Sequence, residues 1–525
     1  MPQPFTRQHH LERLTTEEFD LLVIGGGITG AGVALDAVSR GLKVALVEMG
    51  DYASGTSSKS SKLIHGGLRY LQQGDVRLVY EALRERRRLM RNAPHLVSVL
   101  PFMIPILTKD GLLPRRIARA LGSSLWMYDL TGGWRIGRFH RRLRQRKALS
   151  HFPTMPAERL ASAYIYYDAQ ADDARLTLEV VRTASDLGAV TLNYARVTGI
   201  NCDQSGRAIG AKIQSGGRDF DVSARCVVSA TGVWIDDIHR METGTASRTV
   251  RPAKGVHLTF PWDKIRNDIA VVIPVPKDRR SLFVVPWSQK EDGTYRYTYV
   301  GTTDTGYSGP IDDPQCTRED IEYVINALNN SLTEPVTESD VLGVWSGLRP
   351  LVAPPEGEEL KERTADLSRR HRVSVGAAGV ISVSGGKLTT YREMAEDTVN
   401  AVCESLGVKS RCRTKRLPIH ASTPINGSSS IVSDFPLSRE EIIRAAREEM
   451  VVHLSDMLCR RNRALLYDRK TAIAAAPLVA AVLAEELRWS PGHTQAEIAD
   501  FIEICRREEL AADITEVEYT KRSAE

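Results

Sequence analysis

Cysteine is sparse in this 525-residue sequence and never takes a C-x-x-C spacing: the seven residues, at 202, 226, 316, 403, 412, 459 and 505, are scattered and odd in number. That distribution argues against a disulfide framework and implies a reducing compartment. Long apolar runs are missing as well. The first twenty residues hold no signal-peptide core, and the longest apolar stretch, 472–484, is interrupted by Pro477, so neither a leader nor a membrane span is expected. No grouping of His, Cys and acids has ligand spacing and no calcium-loop pattern occurs, so no metal is expected. A net charge of +5 is too small to make the whole molecule an obvious polyanion binder, although local basic patches remain possible. Internal repeats and long low-complexity tracts are absent too. What is present, 42% hydrophobic and 26% charged residues, is the composition of a globular protein of two or three domains with room for a large cofactor.

The segment FDLLVIGGGITGAGVALDAVSRGLKVALVE, residues 19–48, carries the first positive signal. Leu21 to Ile24 read as a buried parallel strand, and Gly25, Gly27 and Gly30 follow in G-x-G-x-x-G spacing. Gly25 permits the tight turn, Gly27 lets the backbone approach a pyrophosphate, and Gly30 allows helix to pack on strand. A helix of small residues then runs to Gly41. A second strand, Val44 to Val47, ends in Glu48, whose carboxylate suits a ribose diol and disfavours a 2′-phosphate. FAD or NAD therefore remains, and NADP does not.

Downstream segments favour FAD. CVVSATGVW, residues 226–234, is a short apolar strand ending in the turn Thr231–Gly232, as where a chain returns to a dinucleotide. VISVSGGKLTTYR, residues 380–392, passes through Gly385 and Gly386 into a helix whose N-terminus suits the negative charge that develops on a reduced flavin ring. A P-loop is excluded because position 381 is Ile and position 388 is Leu. No second G-x-G-x-x-G occurs, so electrons should enter from an organic substrate bound directly against the flavin.

At these residues the chain resembles the FAD-dependent glycerol-3-phosphate dehydrogenases of the D-amino-acid-oxidase-like flavoprotein superfamily. The resemblance rests on VIGGGITGAG, TSSKSSKLIHGGLRYL, DDARL, GTTD, SGLRPL and SGGKLTTYR, in that order from about residue 19 to 396, and on EEMVVHLSDMLCRRNRALLYD near the C-terminus. It implies an α/β two-dinucleotide-binding-domain flavoprotein with a Rossmann-like FAD domain, an antiparallel β substrate domain and a C-terminal helical domain. The implied activity is oxidation of sn-glycerol 3-phosphate to dihydroxyacetone phosphate by hydride transfer from C2 to flavin N5, with a quinone as acceptor. One departure is the short stretch, 412–440, before the final helical region, where many relatives have a longer helical one. A homodimer is the candidate assembly, with the family's oligomer contacts not carried over.

By the same resemblance, Thr56, Ser57, Ser61 and Lys62 join Gly25, Gly27, Gly30, Glu48, Thr231, Gly232, Gly385, Gly386, Leu388 and Thr389 along the FAD. Arg69, Tyr70 and Arg363 fall to the substrate phosphate, and Arg349, Lys387 and Thr303 to the C2 oxygen and flavin edge. A small phosphorylated polyol needs such permanently charged donors, and its reacting hydroxyl needs one proton acceptor. His65, in the strongest motif, is the expected base, with His257 as its rival; Lys254 is a further cation in a similar context.

The FAD-dependent region is expected over 19–400, assembled from units at 19–95, 165–250 and 340–400 with a substrate sheet inserted at about 251–335. A linker over 401–436 and a helical domain over 437–525 follow. Between 109 and 147 eleven lysines and arginines stand against two acids, interleaved with Leu125, Trp126, Met127, Tyr128, Trp134 and Phe139. That segment reads either as a solvated helix face or as a peripheral contact with anionic lipid on the inner face of a cell membrane, and the resemblance favours lipid and a cytoplasmic protein. Alternatives are an oxidase using oxygen, an amino-acid oxidase, and a nucleic-acid-binding flavoprotein. The last leaves the internal cations unexplained, so no nucleic-acid partner is expected.

Overall fold

The structure is a computed structural model that describes residues 4–68, 75–108, 118–245, 248–276, 280–353, 370–423, 425, 430–432 and 435–523. The strand Phe19–Ile24 is parallel to Val44–Val47 on one side and to Arg218–Ser229 on the other. Ile381–Ser384 extends the sheet beyond Arg218–Ser229, and Val190–Leu192 extends it beyond Val44–Val47. The segments Leu21–Ile24, Val44–Val47 and Cys226–Val228 at its centre are continuous buried apolar runs, as in other parallel sheets covered on both faces. The glycine-rich turn leads into the helix Ile28–Ser39, which packs against Asp173–Asp186 and Tyr391–Leu406. The last of these contacts is close: a Cβ on Gly32 would stand 2.8 Å from the Tyr391 ring.

A second sheet, ten strands among the described residues, is antiparallel except where Ala270–Pro274 runs parallel to Ser98–Leu107. It reaches well beyond the expected 251–335. Ser98–Leu107, Leu160–Gln170 and Arg141–Arg144 join from one side, and Gly343–Val352, expected in a dinucleotide unit, pairs along the whole of Val250–Pro261. Alternation of apolar and polar residues is weak in Ser98–Leu107, Leu160–Gln170 and Gly343–Val352 because they are buried along most of their length, which is why local patterning did not disclose them. The two-residue strand Leu63–Ile64 sews the loop after the first sheet onto this second one.

The C-terminal region is helical, as expected, with Arg439–Glu448, Arg469–Leu487 and Pro491–Ala512 as its main members and Pro477 accommodated inside the second. It begins with a small hairpin, Ser430–Val432 with Phe435–Ser438, and the helix Tyr391–Leu406 runs into the stretch expected as linker. Buried ion pairs dock it: Arg461 grips Asp51 through two bonds of 2.7 and 3.0 Å, and Arg175 reaches Glu449 at 2.7 Å. Breaking one partner of such a pair costs about 3–5 kcal/mol, so these contacts enforce a docked geometry.

Near the N-terminus, His10 lies buried on the helix Arg7–Thr16, and its Nδ1 accepts the Thr191 N–H at 2.9 Å. Burial, with the neighbouring His9 and Arg13, lowers its pKa to about 3. Below pH 6.5 the unfolded chain therefore takes a proton that the folded chain refuses, and this contribution to stability is lost as pH falls toward 3. The stability advantage of the native chain over His10→Asn should shrink by about 2 kcal/mol between pH 7 and 5. Chemical denaturation at the two pH values measures it, and an unchanged difference would contradict the assignment.

Candidate functional site

One cavity of about 780 Å³ runs from the first sheet to the second, a volume suited to a large ligand. At its first end Gly27, Ile28 and Thr29 line the start of the helix Ile28–Ser39, so the positive end of that helix and its first-turn amides face the space. The glycines account for this approach. A Cβ on Gly25, which has φ +107°, would lie 2.7 Å from the Ala230 carbonyl oxygen, and one on Gly30 would lie 1.9 Å from the Gly25 carbonyl oxygen. Gly30 itself does not line the cavity; it sets the crossing of strand and helix beneath it. Glu48 ends its strand at the wall and its carboxylate accepts the Gly26 and Gly50 amides at 2.6 and 2.8 Å. Burial raises the Glu48 pKa, against the lowering by those two amides.

From the opposite side Gly385 and Gly386 bring in a second helical start, the turn Leu388–Thr390 leading into Tyr391–Leu406. Two helix N-termini thus converge on one space, which also receives Thr56, Ser57, Ser61, Thr231, Gly232, Leu388 and Thr389. Ser57 Oγ caps the Ile28 amide at 2.9 Å, and Thr56 Oγ1 donates to the Leu348 carbonyl at 2.6 Å. This glycine cradle, its two positive helix ends and the carboxylate at the strand tip together fit FAD, whose diphosphate and electron-rich ring edge require those donors.

The segment SSKLIHGG turns between the sheets. Lys62 does not reach the cavity, contrary to expectation. Its side chain is fully buried, with φ +57° turning it inward, and Nζ donates to Asp173 Oδ1 at 2.9 Å. His65 does line the cavity, and its N–H donates to Thr389 Oγ1 at 3.1 Å. The turn is then tied down at Gly66, whose N–H donates to Tyr128 Oη at 3.1 Å; Tyr128 in turn bonds Asp168, which pairs with the buried Arg86. Gly66 must lack a side chain, since a Cβ there would stand 2.5 Å from Leu83. Arg69, Tyr70 and Arg363 lie outside the described residues.

At the second sheet the cavity wall is cationic. Arg349, Lys387 and His257 line it, joined by Arg280 and Lys59, which sequence reasoning passed over. Arg349 is fixed through Nη2 to Thr302 Oγ1 and the Thr303 carbonyl, both at 3.1 Å, and through Nη1 to Asp304 at 3.3 Å. Gly255 makes room for it, as a Cβ there would lie 2.5 Å from Nη2. Thr303 points away from the cavity: its Oγ1 accepts the Val256 amide at 3.0 Å, whereas Thr302 and Asp304 face inward. Successive residues of an extended chain alternate sides, and that period within GTTD was the available signal. Arg280 stands at the start of Ser281–Gln289 in no recognised motif. Lys254 is also absent from the lining, being held by Asp320 at 2.6 Å and by Glu516.

His257 stacks on Trp345 with ring centroids 4.7 Å apart, and its Nε2 pairs with Ser61 Oγ at 2.9 Å. Burial, then the charges of Lys62 and Arg349, holds its pKa well below the ordinary imidazole range. It is neutral at physiological pH.

Comparison with known proteins agrees with this geometry. Residues 20–392 match the family "FAD dependent oxidoreductase" and residues 394–494 match "C-terminal domain of alpha-glycerophosphate oxidase". The chain is 36% identical to a probable mitochondrial glycerol-3-phosphate dehydrogenase of Caenorhabditis elegans, over 94% of this chain and 74% of that one. It is 35% identical to glycerol-3-phosphate dehydrogenase 2 of Mycobacterium tuberculosis, over 95% and 90%. Among solved structures, the glycerol-3-phosphate dehydrogenase of Bacillus halodurans complexed with FAD superposes with a TM-score of 0.74 at 28% identity, covering 96% of this chain and 98% of that one.

The closest approach in the site yields a direct prediction. Gly30→Ala drives a methyl group into the Gly25 carbonyl, and relief of that overlap must shift the turn that receives the dinucleotide. Overpacking of this kind costs about 1–3 kcal/mol, so FAD retention should fall about tenfold or more. The flavin-to-protein absorbance ratio after purification measures it; a wild-type ratio would contradict the account.

Proposed function

Because the chain belongs to the FAD-dependent glycerol-3-phosphate dehydrogenase family, we propose that it oxidises the C2 alcohol of glycerol 3-phosphate at the cationic end of this cavity and delivers the electrons to a quinone. The observation that carries the reading is the continuity of one space from a dinucleotide cradle to Arg280, Arg349 and Lys387. When bound, FAD supplies the centre that accepts the hydride and later gives up the electrons.

The chain's own groups do the rest. Arg280 and Arg349 present permanent charge to the phosphoester and to the oxygen at C2, and Lys387 adds a third cation beside the helix start at 388–390. Arg69, Tyr70 and Arg363 belong to the same reading on sequence alone. Arg349 is already oriented by two threonines and Asp304, so little reorganisation is needed when negative charge grows on the C2 oxygen. His65 is the proposed acceptor of the hydroxyl proton, since it faces the cavity on a turn anchored by Tyr128 and Asp168. Neutral His257 can accept a proton, but its depressed pKa makes it the weaker base; held by Ser61 and Trp345, it better fits a wall that sets the loop.

The acceptor side is supported by a surface. On the helix Ala118–Thr131 and the segment after it, Trp126, Met127, Leu130 and Phe139 are exposed beside exposed Arg138, Arg141, Arg142 and Arg144. Apolar and aromatic groups rimmed by cations suit a peripheral contact with anionic lipid, where quinones reside. Among the described residues no helix is long and apolar enough to cross a membrane. Oxygen as acceptor is the second reading, favoured by the match of residues 394–494 to an oxidase domain.

Anaerobic glycerol 3-phosphate should bleach the flavin of the wild-type protein, and Arg349→Ala should slow that reduction about 10²–10³-fold while FAD stays bound. Wild-type rates in the variant would remove Arg349 from the reaction. Flotation with anionic vesicles at low salt should carry the protein upward and neutral vesicles should not; equal behaviour with both would leave the basic surface without a lipid role.

A further inference from the structure

The turn Asp456–Arg461 and the residues that follow it lie in the C-terminal region, outside the cavity, yet they hold both loops that flank its dinucleotide end. Arg461 and Arg460 grip Asp51, three residues beyond Glu48, with Arg460 Nε at 2.6 Å. Arg463, in left-handed backbone at φ +74°, turns the other way. Its side chain is 3% exposed; Nη2 donates to the Ser58 carbonyl and, at 2.9 Å, to Asp173 Oδ1, while Nε faces Asp172 Oδ2 at 3.3 Å.

Asp173 is the hub of that contact. Its Oδ2 accepts the Ser60 amide at 2.8 Å and the Ser60 hydroxyl at 2.7 Å, and Oδ1 is shared between Arg463 and Lys62. The neighbouring carbonyls are fixed from the substrate sheet, Ser60 by Trp345 Nε1 at 3.1 Å and Ser61 by Tyr299 Oη at 3.0 Å. The segment 56–61, five of whose residues line the cavity, is thus suspended from a buried carboxylate that needs cations on both sides. Lys62 comes from the loop itself. Arg463 comes from a separate region of the chain.

We propose that Arg463 is the positioning residue of this loop, so that tight retention of FAD depends on docking of the C-terminal helical region. The inference rests on the reading that segment 56–61 faces the dinucleotide. Two consequences follow from the geometry. A lysine at 463 keeps the charge but, with one nitrogen, cannot bond Ser58 and Asp173 while also facing Asp172 and the Cys459 carbonyl as the guanidinium does, and Asp172→Asn loosens Arg463 while preserving the cap that Asp172 gives to the Arg175 amide.

The test measures FAD release from holoenzyme by recovery of flavin fluorescence on dilution, beside the unfolding temperature. Arg463→Lys should accelerate release about tenfold and Asp172→Asn about threefold. Leu483→Ala, a cavity in the buried core of the C-terminal helices, should lower the unfolding temperature without changing release. Release within about twofold of wild type in both Arg463→Lys and Asp172→Asn would overturn the proposal, as would equal acceleration by Leu483→Ala at the same loss of unfolding temperature. If Arg463→Lys does not fold, Asp172→Asn against Leu483→Ala decides alone. Glu48→Ala separates the premises: if it speeds release and the Arg463 and Asp172 variants do not, only the positioning role fails. If all three are without effect, the placement of FAD fails with it.

Discussion

The carbonyl of Gly25 and the α-carbon of Gly30 approach so closely that no side chain fits between them, and the rest of the site depends on that contact. It forces strand and helix into the crossing that points the start of Ile28–Ser39 at the cavity. Once the crossing is set, Glu48 at the tip of the neighbouring strand and the Thr231–Gly232 turn fall on the same rim. A bound diphosphate then meets oriented amides that have already been arranged during folding, so the ordering cost is not incurred at binding.

The second sheet completes the space with charge that is compensated without being spent. Arg349 lies against Asp304 and two threonine oxygens, and Arg280 donates to the Asp304 carbonyl at 2.7 Å, so both guanidinium groups are held while part of each lines the cavity. Other cations are committed elsewhere. Lys62 belongs to Asp173 and Lys254 to Asp320 and Glu516, and these buried pairs fix loops in place of binding ligands. Position in a cationic motif therefore does not by itself assign a cation to the site; the carboxylate nearest to it decides.

The sequence disclosed the parts of the site whose chemistry is local. The glycine spacing, the acid after the second strand and the Gly-Gly turn before Leu388 each carry a backbone requirement within a few residues, and the strand at 44–47 was legible beside them. It did not disclose partners far apart in the chain. Nothing around Lys62 announces Asp173 or Arg463, and nothing around Arg280 announces that it lines the cavity with Ser281 and Phe283. Thr303 was assigned to the site from its motif without regard to which side of an extended chain it occupies. The antiparallel sheet was underestimated for a related reason: Ser98–Leu107 and Leu160–Gln170 are covered on both faces and lack the alternation that marks a half-exposed strand.

A crystal structure of the holoprotein with dihydroxyacetone phosphate bound tests the central claim most directly, because it locates both ligands at once. The account predicts the diphosphate at the start of Ile28–Ser39, the flavin ring beside Gly386 and Leu388, and the product phosphate within hydrogen-bonding distance of Arg280 or Arg349. A product phosphate bound away from both arginines, or a dinucleotide whose diphosphate avoids Gly27, would contradict it.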